Sequence, residues 1–144
     1  MLSFDTNLLV YAANSDAREC EPARAFLTSL RDRRDVAVCK LVLIEVYLKV
    51  RNQRILSRPF GAAEAVNFCQ TFRQNPNWVL LEQAPVMDDV WRLARQPGFA
   101  VRRVIDARLA LTLRHHGVTE FATANEKDFA DFGFTRVWNP LEPC

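Results

Sequence analysis

Three carboxylates stand in this sequence where apolar side chains would be expected. Asp5 closes the apolar run Leu2–Phe4, Glu45 sits inside LVLIEVYL, and Asp106 sits inside VIDARLALTL. Acidic side chains are almost never fully buried unless they pair with a cation or coordinate something. Brought together they repel, and two unit charges ~4 Å apart cost about 4 kcal/mol at an effective dielectric near 20. A hard divalent cation relieves that repulsion. Mg²⁺, or Mn²⁺ in its place, takes oxygen ligands and keeps waters free for substrate phosphates, which suits a set of acids without a His or Cys ligand cluster. The chemistry such a site supplies is activation of water and stabilisation of charge on a phosphodiester.

Each acid also has a plainer fit. Asp5 can cap a helix that follows its strand, and Asp106 can be the N-cap for Ala107 onward. Glu45 lies mid-helix and cannot be an N-cap, but it can pair with one of the sixteen arginines. A fourth position is open between Asn125 and Asp128, which follow the strand candidate Glu120–Ala122. Ligands of open α/β sheets collect outside the carboxyl ends of strands. Either Asn125 orients water or substrate while Asp128 approaches a metal, or Asp128 caps the short turn before Phe129. Arg51 and Arg54 leave the Glu45 region, where they can meet a nucleic-acid phosphate or simply be solvated. Arg108 can pair with a nearby carboxylate. His115 and His116 read as the end of a helix, favoured by its dipole, rather than as metal ligands. Trp78 and Trp138 read as core.

The elements that would position these residues alternate. The strand candidates are Leu2–Phe4, Val36–Cys39, Trp78–Leu81, Glu120–Ala122 and Thr135–Trp138. Between them the apolar spacing predicts helices, the first capped by Ser15 or Asp16 and carrying Cys20, Ala23, Phe26, Leu27 and Leu30. Further helices are predicted over Leu41–Val50, Ala62–Arg73, Val86–Arg95 and Val104–His116, with a short turn near Glu126–Phe132. Strands separated by helices imply a parallel sheet with helices on both faces. The fold class is therefore α/β, one three-layer domain spanning residues 1–144 without a linker or repeat.

Composition fits this. The chain has 144 residues, 49% hydrophobic and 25% charged, enough for one core without disulfides or a structural metal and too apolar for disorder. Cys20, Cys39, Cys69 and Cys144 form no C-x-x-C pair, which excludes zinc-ribbon and thioredoxin-like sites and suits free thiols in a reducing cytoplasm. MLSFDTNLLVYA has an acid and no basic leader, so it does not read as a signal peptide, and Leu41–Leu48 is too short for a membrane span. Net charge is only +2, but the cations are mostly arginine, whose planar fork suits phosphate.

The ordered set FDTNLLVYA, LVLIEVY, DARLALTLRHHGV, FATANEKDF and RVWNPL resembles the PIN-domain ribonucleases, in particular the VapC-like toxins of prokaryotic toxin–antitoxin pairs. The resemblance covers the whole chain and implies a parallel sheet of about five strands in a homodimer. It implies Mg²⁺/Mn²⁺-dependent endoribonuclease activity on single-stranded or loop RNA, with Asp5, Glu45 and Asp106 holding the metal. The Thr6 hydroxyl would brace the first acid, with Asn7 beside it. Thr123 and Asn125 would support the last motif. Many relatives have an acid at position 125, and here Asp128 comes three residues later. The implied partner is a small antitoxin whose tail enters the active-site groove. Two alternatives remain at this stage: an RNA-binding module of this kind that does not cleave, and an RNase H-like nuclease, whose acids also run Asp, Glu, Asp. A HAD-type phosphatase would require a second Asp where the chain has Asn7.

Overall fold

The structure, a computed structural model, describes residues 1–142; Cys144 lies outside them. Five short strands form: β1 (Leu2–Phe4), β2 (Ala37–Cys39), β3 (Val79–Leu81), β4 (Glu120–Ala122) and β5 (Arg136–Trp138). Every strand pair is parallel. β4 lies between β1 and β5, β2 pairs with β3, and the parallel bridge Leu2–Val36 joins the two groups. The spatial order is therefore β3-β2-β1-β4-β5. Burial follows from that order: β1 and β2 are buried at every residue, while β3 and β5, at the edges, are partly exposed.

Parallel neighbours require crossovers, and helices supply them. α1 (Thr6–Ala13) and α2 (Cys20–Leu30) connect β1 to β2, and α3 (Lys40–Val50) and α4 (Ala62–Arg73) connect β2 to β3. α5 (Met87–Ala94) and α6 (Arg103–His115) return the chain to β4, and the single turn α7 (Glu126–Phe129) leads to β5. The main core gathers Phe4, Leu8, Val38, Val46, Leu113 and Phe121, all essentially fully buried, with Trp78 edge-on to Phe4. A smaller cluster of Ala84, Val86, Val90 and Ala107 holds α5 against α6.

The strands and the helices after Ser15 match the sequence expectations to within a residue or so at their ends, except that α7 stops at Phe129 and not Phe132 and α2 has a displaced start; α1 fills a stretch for which no helix bounds were predicted. Ser15 and Asp16 do not cap α2; Glu19 precedes it and makes no side-chain cap. Asp16 is occupied elsewhere, accepting the Ser57 hydroxyl and standing 3.9 Å from Arg58, so it ties the arginine-rich loop to the body. The RNase H-like alternative falls on topology. That fold opens on adjacent antiparallel strands, whereas here β1 runs directly into α1 and all pairings are parallel. No helix among the described residues is long and apolar enough to cross a membrane.

Candidate active site

β1 leads to helices on its β2 side and β4 leads through α7 to β5 on the other, so the connections diverge between these two neighbours. Such a divergence opens a crevice at the carboxyl ends of the strands. Asp5 is the first residue past β1 and Thr123 the first past β4. The Asp5 amide donates to the Ala122 carbonyl at 2.9 Å, continuing the ladder to the crevice floor.

Asp5 does two things there. As N-cap of α1, its Oδ1 accepts from the Thr6 amide at 2.8 Å, as the capping alternative anticipated. Its Oδ2 accepts from the Thr123 hydroxyl at 2.8 Å. Thr123 Oγ1 in turn accepts from Asn7 Nδ2 at 3.4 Å and from the Asn125 amide at 3.0 Å, and Asn7 Oδ1 accepts from the Ala124 amide at 3.4 Å. Thr6, Asn7, Thr123 and Asn125 are thus all brought together around Asp5, but Thr6 holds it through its backbone amide and not through the hydroxyl that the resemblance implied. Burial pushes the Asp5 carboxyl up from 3.8 to about 6, opposed by its two hydrogen bonds.

Glu45 stands in the middle of α3, half-buried, and forms no ion pair with an arginine. Burial raises its carboxyl, Lys49 one turn on draws it down, and Asp106 raises it again. Asp106 is not the N-cap expected as one alternative. α6 begins three residues earlier, at Arg103, and Asp106 lies in its first turn, where the dipole favours an acid. Burial, then Asp5, then Asp128 push its carboxyl to about 6. The three acids therefore share one field despite coming from three elements.

Glu45 and Asp106 line an open cavity of about 570 Å³, while Asp5 is buried and does not reach its lining. Glu45 and Lys49 form the α3 wall, Arg102, Ile105 and Asp106 the α6 wall, and Asn125 and Asp128 the third side. Asp128 lies inside α7 and caps nothing; its Oδ1 stands 3.4 Å from Arg102 Nη2. Arg51 and Arg54 are not brought to this lining. Arg51 lies over the Tyr47 ring and donates to its hydroxyl at 2.9 Å, and Arg54 is exposed in the following loop. The cations that do reach the cavity, Lys49 and Arg102, were not singled out from sequence. The one available signal was Lys49's place four residues after Glu45. Arg108 forms no ion pair among the described residues, and its Nε is buried without a hydrogen-bond partner. A larger cavity of about 720 Å³ between α2 and α4 is lined by aromatic side chains including Phe68, Phe72 and Trp78 and has no converging acids.

The donor set suits a hard cation: carboxylate oxygens from three elements, with the buried Thr6 hydroxyl beside Glu45. Among the described residues no three acids, histidines or cysteines are already gathered at metal-binding spacing. The raised carboxyls come first from burial and second from the charge of neighbouring acids.

Comparison with known proteins decides the family. The PIN domain family matches residues 3–135. The chain belongs to the PIN-domain family. Its relatives include Ribonuclease VapC24 of Mycobacterium tuberculosis, in strains CDC 1551 / Oshkosh and H37Rv, each 58% identical over 141 residues that cover 98% of this chain and 97% of the relative. Among solved structures, this PIN domain superposes on Mycobacterium tuberculosis VapC20, described as a sarcin-ricin loop cleaving toxin, with TM-score 0.68 and 16% identity over 94% of this chain and 97% of that one. It superposes on FitAcB from Neisseria gonorrhoeae with TM-score 0.65 and 20% identity over 99% and 100% of the two chains. At those identities the two structures speak for the fold alone. The expected PIN-type α/β fold of about five parallel strands is the one observed.

Proposed function

We propose that this PIN domain is a divalent-metal-dependent endoribonuclease, the toxin of a toxin–antitoxin pair, cutting single-stranded or loop RNA in the cytoplasm. What supports the proposal is that Glu45 and Asp106 line one cavity at the divergence of β1 and β4, with Asp5 buried beside it and two of the three carboxyls raised to about 6. The 58% identity to a protein named a ribonuclease supports the activity. We assign the metal to Asp5, Glu45 and Asp106, with Mg²⁺ the natural ion and Mn²⁺ a substitute. A bound ion supplies acidified water and charge stabilisation at the phosphodiester.

The chain's residues do the rest. Thr123 and the Thr6 amide each hold one oxygen of Asp5, fixing the carboxylate's plane. Asn7 and Asn125 hold Thr123 and so set that plane from behind. Asp128 brings a further negative charge to the open side, while Asn125 is placed to orient water or substrate. At neutral pH carboxyls near 6 are mostly ionised, ready to receive a cation. The antitoxin partner would place its tail over this acidic groove, and we expect a homodimer.

The test is cleavage of single-stranded RNA by the purified chain with Mn²⁺ and with EDTA. Metal-dependent cutting supports the proposal. RNA binding without cutting under any divalent ion would instead favour the non-catalytic module, which the uncharged Asn125 keeps open.

A further inference from the structure

We propose that Lys49 and Arg102 form a two-sided phosphate clamp for the RNA strand, and that Asp128 parks Arg102 until the strand arrives. The inference rests on the nuclease proposal and deepens it. A polyanion approaching Glu45, Asp106 and Asp128 meets like charge, so its backbone needs fixed cations at the rim. The cavity has one on each of two walls. Lys49 follows Glu45 by four residues and so shares its face of α3. It is half-buried and forms no ion pair among the described residues, whereas Lys40 pairs with Glu82.

Arg102 stands opposite, at the start of α6. Its side chain is 76% exposed and its single carboxylate contact among the described residues is Asp128 at 3.4 Å, longer than the ~2.7–2.9 Å of a strong charge-assisted hydrogen bond. An exposed pair of this kind holds weakly. Arg103 next to it differs sharply. It lies over the Phe99 and Phe132 rings and donates to Asp131 at 2.9 Å and to the Asp128 carbonyl at 3.3 Å, so it fixes the α7 turn. One arginine therefore anchors the turn that carries Asp128, while the other is loosely held over the opening.

Arg102, Asn125 and Asp128 also line a second cavity of about 460 Å³, which shares these three residues with the first and is bordered by Lys127 as well as by Glu126 and Glu142. Arg102 thus stands at the junction of two openings, where a strand passing from one to the other would place consecutive phosphates. A metal bound near Asp128 and a phosphate near Arg102 would each compete with the parked pair, coupling strand entry to release of Asp128.

The test is RNA binding by the full chain, measured by anisotropy of a labelled single-stranded oligonucleotide in EDTA across a salt series. A single-strand phosphate contact contributes about 0.7 to the slope of log affinity against log salt. Lys49→Ala and Arg102→Ala should each flatten the slope by about that amount, and the double variant by about twice as much. Arg18→Ala, which removes the same charge far from the cavity, should leave it unchanged. Asp128→Asn should tighten binding, and Arg102→Ala should bind Mn²⁺ at least as well as the unaltered chain by titration calorimetry. If the unaltered chain binds and cuts RNA but both alanine variants keep its slope, the clamp is wrong and the nuclease proposal stands. If the unaltered chain neither binds nor cuts, the nuclease proposal itself fails. A slope lost equally in Arg18→Ala would mean diffuse attraction and would also overturn the clamp.

Discussion

Thr123 donates its hydroxyl to Asp5 Oδ2 at 2.8 Å, joining two residues 118 positions apart in the chain through the pairing of β4 with β1. Thr123 Oγ1 itself accepts from the Asn7 side-chain amide and from the Asn125 backbone amide. A fully buried threonine is thereby the point at which both ends of the sequence set the orientation of the first acid.

Thr123→Val keeps the shape but removes the donor and the acceptor together. Leaving buried groups unmatched costs about 1–3 kcal/mol, so the melting temperature should fall by several degrees and cleavage should weaken with it. Thr123→Ser restores the hydroxyl and should recover most of the activity. Full activity in the valine variant would show that Asp5 needs no brace.

Asp5→Asn can still accept from the Thr6 amide, so α1 keeps its cap. The variant loses ligand charge and the cost of a buried carboxylate together. Cleavage should drop by at least ~100-fold, about 3 kcal/mol of transition-state stabilisation, while the metal-free fold is as stable as before or more so. Unfolding of the variant would instead mark Asp5 as structural.

The raised carboxyls predict a sign for the pH dependence. With a folded value of about 6 against 3.8, Asp5 binds a proton more tightly in the folded chain. Its contribution is therefore fully present below about pH 4 and is lost as pH rises through 6. The full difference is about 3 kcal/mol. In EDTA, stability of the unaltered chain minus that of Asp5→Asn should decline across this window and level off above it. Added Mg²⁺ should reverse the decline only above pH 6, where the carboxylates are free to bind it. A flat difference in denaturant melts would refute the shift.

Asp128→Asn should weaken metal-dependent cleavage less than Asp106→Asn, and excess Mn²⁺ should partly restore it. It also removes a charge that pushes the Asp106 carboxyl up, so that carboxyl should titrate lower by NMR. Its pairing with Arg102 is exposed on one side and worth no more than about 1 kcal/mol, so stability should barely change. Asn125→Asp should tighten metal binding with only a modest change in turnover.

Expression of the chain alone should slow growth, and co-expression of its neighbouring reading frame should rescue it. Soluble, intact protein accumulating without effect in several hosts would count against the toxin role.

What the sequence determined by itself were the features that depend on local pattern. Charge inside an apolar run is visible in one dimension, so Asp5, Glu45 and Asp106 stood out, and the alternating periods were enough to give a parallel α/β order. Resemblance across the ordered motifs then pointed to Thr6, Asn7, Thr123 and Asn125. Tertiary structure decided what depends on who lies opposite. Ser15 and Asp16 have cap chemistry, yet Asp16 is drawn away by Ser57 and Arg58, forty-odd residues later in the chain. Asp106 looked able to start a helix, but Arg103–Ile105 are already wound when the chain reaches it. Nothing local separates Arg102 from the other basic residues, and Lys49 is marked only by following Glu45 by four residues. Arg51 and Arg54, nearer in sequence to Glu45 than Arg102 is, do not reach the cavity, because a side chain's access to a crevice is set by where the fold places α3 across from α6 and α7 and not by its distance along the chain.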